Sequence, residues 1–151
     1  MKICVRDAFV SDCYRKEYSF VLDNTQISDF PDGAKTDAVN VSAEISANDG
    51  KVSCAMIISA NFKIICSRCA LEFTLPFRSS TVKLIKQHDD GTFEDAIYVD
   101  GGYCFDIAQE ARAQIYFEFP AKPLCRKDCK GLCPVCGCDL NAGSCSCDIK
   151  T

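Results

Sequence analysis

Lys51-Val52-Ser53-Cys54-Ala55-Met56-Ile57-Ile58-Ser59-Ala60-Asn61-Phe62-Lys63-Ile64-Ile65-Cys66-Ser67-Arg68-Cys69 is the stretch whose reading decides the fold. Val52, Cys54, Met56, Ile58, Ala60, Phe62, Ile64 and Cys66 share one side of a two-residue period, with Lys51, Ser53, Ser59, Asn61 and Lys63 on the other. Side chains of a strand alternate between faces, so a period held this long predicts a β-strand with one buried face. That strand runs into Cys66-Ser67-Arg68-Cys69, and alternation resumes at Phe73, Leu75 and Phe77. Strand, CxxC, strand describes a hairpin whose turn is a thiol knuckle.

Working outward, Val39, Val41, Ala43 and Ile45 alternate with Asn40, Ser42, Glu44 and Ser46, and Asn48-Asp49-Gly50 supplies a hairpin turn into the central strand. Tyr18, Phe20 and Leu22 predict an earlier short strand, and Asp32-Gly33 a turn. After Ser79-Ser80 the apolar parity switches to Val82 and Leu84, which predicts a bulge or break. Pro76 predicts an edge position or an irregularity. Ile97-Tyr98-Val99 reads as a short strand. Asp106 is a good helix N-cap with Gln109 three residues on, and Ile107, Ala111, Ile115 and Phe119 form one stripe. Pro120 stops that helix and Pro123 holds the next segment extended. The expected fold class is α+β: a mainly antiparallel β-sheet domain with one or two helices over residues 1–121, and a cysteine-rich zinc-knuckle tail over 122–151 packed on it.

The tail holds seven cysteines between Cys125 and Cys147, with Leu132, Val135 and Leu140 almost its only large apolar residues. Such a segment buries too little apolar surface to offset its own ordering entropy. The thiols must supply the difference. No apolar run of signal-peptide length opens the sequence, and none approaches the roughly 18 residues that span a bilayer. These features predict a cytoplasmic protein without membrane contact. In a reducing compartment clustered cysteines bind metal or do redox work rather than form disulfides, and 13 is an odd count for a closed disulfide framework.

Eight thiols have metal-ligand spacing: Cys66/Cys69, Cys125/Cys129, Cys133/Cys136 and Cys145/Cys147. Two tetrahedral zinc ions require two sets of four. Cys133, Cys136, Cys145 and Cys147 can close around one ion with an eight-residue loop between their pairs. Cys66 and Cys69 then need Cys125 and Cys129, which follow a helix that must pack on the sheet. The tighter alternative joins Cys125/Cys129 to Cys133/Cys136. Gly137 is expected to let the backbone turn past the metal without a Cβ clash. Cys138 reads as a spare thiol, and Cys4, Cys13, Cys54 and Cys104 as small apolar side chains.

Enzyme chemistry finds little support, and no small-molecule substrate is indicated. The single histidine, His88, lies in an acidic loop with Asp89, Asp90, Glu94 and Asp95, where a solvated charge run is the default. There is no P-loop and no GxGxxG. A redox CxxC sits at a helix N-terminus, whereas Cys66 and Cys69 lie between strands. A net charge of −4 does not mark a general nucleic-acid binder. The charge is uneven, however: residues 122–151 carry five Lys/Arg against three Asp, and the rest 12 against 18 acidic residues. Lys122, Arg126, Lys127 and Lys130, with Arg68 if the mixed site forms, make a patch that suits phosphate contact or a protein partner.

Cys66-Ser67-Arg68-Cys69 followed by Leu71-Glu72-Phe73, and Pro120-x-x-Pro123-Leu124-Cys125 running through Asp128-Cys129-Lys130-Gly131-Leu132-Cys133-Pro134-x-Cys136-Gly137 to Asp139-Leu140-Asn141 and Cys145-x-Cys147, resemble one family. It is the bacterial YceD family of large ribosomal RNA subunit accumulation proteins, in its zinc-binding, Gram-positive form. Cys138 occupies a variable position of that pattern, and Asp139 stands where Asn is usual. The resemblance implies a non-catalytic accessory protein for ribosomal RNA accumulation or ribosome assembly, with ribosomal RNA or a large-subunit ribosomal protein or precursor as partner. The alternatives are a CxxC redox regulator and a generic zinc-stabilised interaction module.

Overall fold

A computed structural model of the chain describes residues 1–89, 91 and 95–147. Asp90 and Glu94 of the acidic loop, and residues 148–151 of the tail, lie outside them. Five strands form the main sheet in the order β2 (Arg15–Leu22), β3 (Val39–Asn48), β4 (Lys51–Ile65), β5 (Glu72–Lys86) and β6 (Ala96–Tyr98). The first four run antiparallel and β6 pairs parallel to the end of β5. The helix α1 (Ile107–Glu118) follows. This is the α+β arrangement expected, with one α-helix among the described residues and a cysteine-rich tail.

The two-residue loop Asp49-Gly50 joins β3 to β4 with φ of +50° and +72°. That is the doubly left-handed conformation that follows strand twist, and it locks the Val41↔Ile58 and Ile45↔Cys54 pairs that bury one face. Phe62, fully buried on that face, meets Phe30, Phe77 and Phe119 edge-on at 4.9, 5.8 and 5.3 Å between ring centroids. Phe119 caps α1, so this aromatic cluster fixes where the helix ends and the tail departs.

The expected bulge in β5 is absent: its register against β4 is unbroken from Ile65↔Glu72 to Val52↔Ile85. The chain inverts polarity, not geometry. Ser79 and Lys83 point inward, where Gln114 and Glu110 of α1 meet them at 3.3 and 3.6 Å, and Lys83 also reaches Asp95 at 3.2 Å. Val82 faces outward instead. Pro76 lies where β5 has a neighbour on the β4 side only, so its missing N–H costs no ladder bond.

Two three-residue strands, β1 (Lys2–Cys4) and β7 (Cys104–Asp106), form a second small sheet. Cys4 and Cys104 are cross-strand partners, joined by a disulfide. The reading of both as apolar packing residues is overturned. Val5 N–H donates to the Tyr103 carbonyl and Ile107 N–H to the Met1 carbonyl, which makes Cys4↔Cys104 a non-hydrogen-bonded pair, with Cα atoms 4.0 Å apart. In such pairs the side chains approach most closely. Cys13 is also no core residue, being exposed, whereas Cys54 is buried, and burial pushes its thiol up to about 11. Asp106 caps α1 by accepting from the Ala108 N–H at 2.9 Å, and Ile107, Ala111, Ile115 and Phe119 are all buried.

Candidate metal centres

Two segments of the chain fold the same way. In the hairpin, Cys66 N–H donates to the Leu71 carbonyl at 2.9 Å and Ala70 N–H to the Cys66 carbonyl at 3.0 Å. In the tail, Cys133 N–H donates to the Cys138 carbonyl at 2.8 Å and Gly137 N–H to the Cys133 carbonyl at 2.9 Å. Each turn closes on a residue at positive φ, Ala70 at +56° and Gly137 at +73°. No atom lies within 4 Å of where a Gly137 Cβ would stand, so that glycine answers a dihedral requirement rather than the clash expected. Cys138 takes the place that Leu71 holds in the first knuckle, and stands outside both four-thiol groups.

Those groups are Cys66/Cys69/Cys125/Cys129 and Cys133/Cys136/Cys145/Cys147, with the sulfurs of each within 4.8 Å of one another. They coincide with the sets that chain geometry suggests, and the tighter Cys125/Cys129/Cys133/Cys136 arrangement does not form. The Phe119 anchor and Pro123, whose carbonyl accepts from Ser67 N–H at 2.9 Å, bring the helix exit to the hairpin turn. In the first cluster Cys66 and Cys129 sulfurs lie 3.8 Å apart, and Cys69 and Cys125 sulfurs 3.7 Å. Four sulfurs about 2.3 Å from one tetrahedral ion lie about 3.8 Å from each other. The donor set and its spacing therefore fit a tetrathiolate metal site.

Ionisation is divided within each cluster. Burial pushes the Cys66 thiol up, but backbone N–H groups of Cys125, Cys69 and Arg68 directed at the sulfur outweigh it and bring it to about 6. N–H groups of Cys136 and Val135 bring Cys133 to about 6. Burial and the neighbouring Cys69 and Cys66 sulfurs push Cys125 up to about 12. Cys147 is pushed up to about 12, first by its hydrogen bond with Cys136 and then by burial. Four adjacent thiolates cannot coexist without a cation, so a metal entering here displaces the protons that Cys125 and Cys147 hold.

A seam joins the two clusters. The Arg68 guanidinium donates to the Cys129 carbonyl at 2.9 Å, and Leu132 N–H donates to the Arg68 carbonyl at 3.1 Å. Gly131, at φ +78°, passes so close that an added Cβ would stand 3.0 Å from that carbonyl oxygen. Leu140 N–H donates to the Gly131 carbonyl, and Leu132 bridges Asp139. Asn141 spans the seam, accepting from Lys130 N–H at 2.8 Å and directing its amide at the Cys129 sulfur, 3.6 Å away. Residue reading did not single out Gly131 or Asn141, although Lys-Gly-Leu and Asp-Leu-Asn stand in the motif that carried the resemblance.

The basic residues Arg68, Lys122, Arg126, Lys127 and Lys130 are all exposed around these turns. Arg126 lies 3.6 Å from Asp128, and Arg68 is engaged in the seam. His88 and Asp89 are exposed, and Asp89 accepts from the Gly91 N–H in a local turn. Among the described residues no helix is long and apolar enough to cross a membrane.

A family model described as "Large ribosomal RNA subunit accumulation protein YceD" matches residues 54–151, from within β4 through α1 and both clusters. No curated protein and no solved structure matches the chain. The match covers well over half of the sequence and contains all eight clustered thiols: the chain belongs to the YceD family of large ribosomal RNA subunit accumulation proteins.

Proposed function

We propose that this chain is a non-catalytic, zinc-holding accessory protein that supports accumulation of large-subunit ribosomal RNA in the cytoplasm. It would act by contact with that RNA or with a large-subunit ribosomal protein. The observation that carries the reading is the pair of four-thiol clusters within a chain of this family. A shell of four thiolates leaves no position for an activated water, so two zinc ions here would be structural. They would hold Lys122, Arg126, Lys127 and Lys130 on turns that a segment this poor in apolar residues cannot order alone. The domain division at residue 121 follows the same logic, because the tail would depend on metal and the sheet on its apolar core.

Two measurements test this. Deleting the gene should lower large-subunit ribosomal RNA, with recovery on complementation; unchanged RNA and unchanged subunit profiles overturn the assembly role. Metal analysis should give two zinc ions per chain, falling to one in Cys66→Ser. A thiol-alkylation assay addresses the redox alternative: Cys66 and Cys69 reacting while two ions stay bound would move them from ligands to redox groups.

A further inference from the structure

We propose that Asn141 couples the two clusters, so that a metal in the Cys133 cluster strengthens metal binding in the Cys66 cluster. This rests on the reading that both clusters hold metal.

Asn141 belongs by chain position to one cluster and by contact to the other. It sits between Cys136 and Cys145, in a loop whose two ends are ligands of the tail cluster, so closing that cluster closes the loop. Its amide Nδ2 nevertheless faces the sulfur of Cys129, a nearly fully buried member of the hairpin cluster, at 3.6 Å. The polarity of that amide is set from both sides. Oδ1 accepts from the Lys130 N–H at 2.8 Å, and Nδ2 donates to the Asp139 carboxylate at 2.7 Å. A backbone N–H can only donate and an ionised carboxylate can only accept, so the amide has one stable orientation, with N–H toward sulfur. Asp139 also accepts from the Asn141 backbone N–H at 2.9 Å, which fixes the side chain at its root.

The consequence follows from ligand chemistry. A hydrogen bond donated to a metal-bound thiolate withdraws charge from the sulfur and fixes its direction, and loss of such an outer contact typically weakens metal binding by about 10- to 100-fold. With the tail cluster open, the loop loses the two tethers at its ends, and only the hydrogen bonds donated by Lys130, Cys133 and Leu140 N–H groups hold the donor near Cys129. Lys130 and Leu132, bonded to Asn141 and Arg68, carry the same dependence through the backbone. Coupling of this kind is reciprocal, so metal in the hairpin cluster also strengthens the tail cluster. The two sites then fill together, and the docking of the tail on the hairpin becomes a response to metal supply.

The test uses the full chain, stripped of metal and titrated with zinc against a chromophoric chelator. Four proteins are compared: wild type, Asn141→Ala, Cys145→Ser/Cys147→Ser and the combined variant. The tail double variant should bind one ion, about 10- to 100-fold more weakly than the hairpin cluster of the wild type. Asn141→Ala should bind two, with the hairpin cluster weakened by much of that factor, and the combined variant should be little weaker than the double variant. Full hairpin affinity in Asn141→Ala, or losses that multiply in the combined variant, overturn the proposal. Should Asn141→Ala misfold, Cys66→Ser supplies the reciprocal measurement: tail affinity falling by a similar factor supports coupling, and unchanged affinity overturns it. Two independent wild-type ions would end the coupling alone, whereas fewer than two would end the metal reading as well.

Discussion

Replacing Gly131 by alanine should cost about 2–4 kcal/mol, against about 1–2 kcal/mol for the same change at Gly137. The two glycines have nearly equal dihedrals, φ +78° and +73°, so the left-handed penalty of an L-residue, about 1–2 kcal/mol, is common to both. Their surroundings differ. A Cβ on Gly137 meets nothing within 4 Å, whereas one on Gly131 stands 3.0 Å from the Arg68 carbonyl oxygen and 3.3 Å from its Cβ. Backbone cannot rotate aside, so the tail must draw back and stretch the bond from Leu132 N–H to Arg68, worth about 1 kcal/mol net, with further loss of contact along the seam. The excess of about 1–2 kcal/mol is therefore a property of the seam, and it changes an opening equilibrium by about 5- to 30-fold. Urea unfolding at a fixed, buffered zinc concentration gives the stabilities, and amide exchange at Leu132 reads the seam. Exchange should quicken in Gly131→Ala and stay near wild type in Gly137→Ala. Equal costs at the two positions, or unaltered Leu132 exchange, would refute the argument.

Ala70 holds in the hairpin knuckle the left-handed position that Gly137 holds in the tail, so Ala70→Gly should stabilise the protein by up to about 1 kcal/mol, read from the urea midpoint. Reducing the Cys4–Cys104 bond opens a cross-link between residues 100 positions apart, and unfolding with and without reductant should differ by up to about 4 kcal/mol while metal content stays the same. Burial raises Glu110 above the ordinary carboxylate range, with Lys83 opposing it. Its folded pKa exceeds its unfolded one, so its contribution to stability is complete below about pH 4.5 and is lost as pH rises through the folded value. In Lys83→Met the side-chain carboxyl of Glu110, followed by NMR, should titrate at still higher pH; an unmoved titration would show that Lys83 does not compensate it.

What could be read from the residues was what repeats over a long window. The period of β4 and the Asp49-Gly50 turn fixed a hairpin and its inward face, because register and burial there enforce each other. The same rule misled in β5, where Ser79, Lys83 and Val82 reverse the usual polarity. Gln114 and Glu110 reward polar groups on the inner face, and helix residues 35 and 27 positions from Ser79 and Lys83 are invisible to a local pattern. β1 and β7 are three residues each, too short to carry a period, and their disulfide joins thiols 100 positions apart. A reducing compartment disfavours disulfides, but cross-strand pairing puts Cys4 and Cys104 face to face. The clusters were legible because ligand spacing and loop length constrain them together. The seam was not, since Gly131 and Asn141 acquire meaning only when the tail meets the hairpin.

That meeting also alters how the basic residues should be understood. Residues 122–151 sum to +2 with neutral thiols, but each zinc ion with four thiolates carries −2. Two filled clusters would take that region, together with the Cys66 and Cys69 thiolates of the hairpin, to −2, and Arg68 brings the sum to −1. Arg68, Lys122, Arg126, Lys127 and Lys130 then balance anionic centres as much as they offer charge to a partner. Arg68 shows the division within one side chain, exposed yet bonded to the Cys129 carbonyl. An RNA partner would consequently be held through a few oriented cations and not through net attraction, on a chain whose remaining residues, 11 basic against 18 acidic, sum to −7. Orientation is what a metal-ordered knuckle supplies, and the seam makes that orientation common to both clusters. Loss of metal would remove the anionic centres and the ordered turns together. Phosphate affinity should then depend on the clusters being filled, even though filling them lowers the net positive charge.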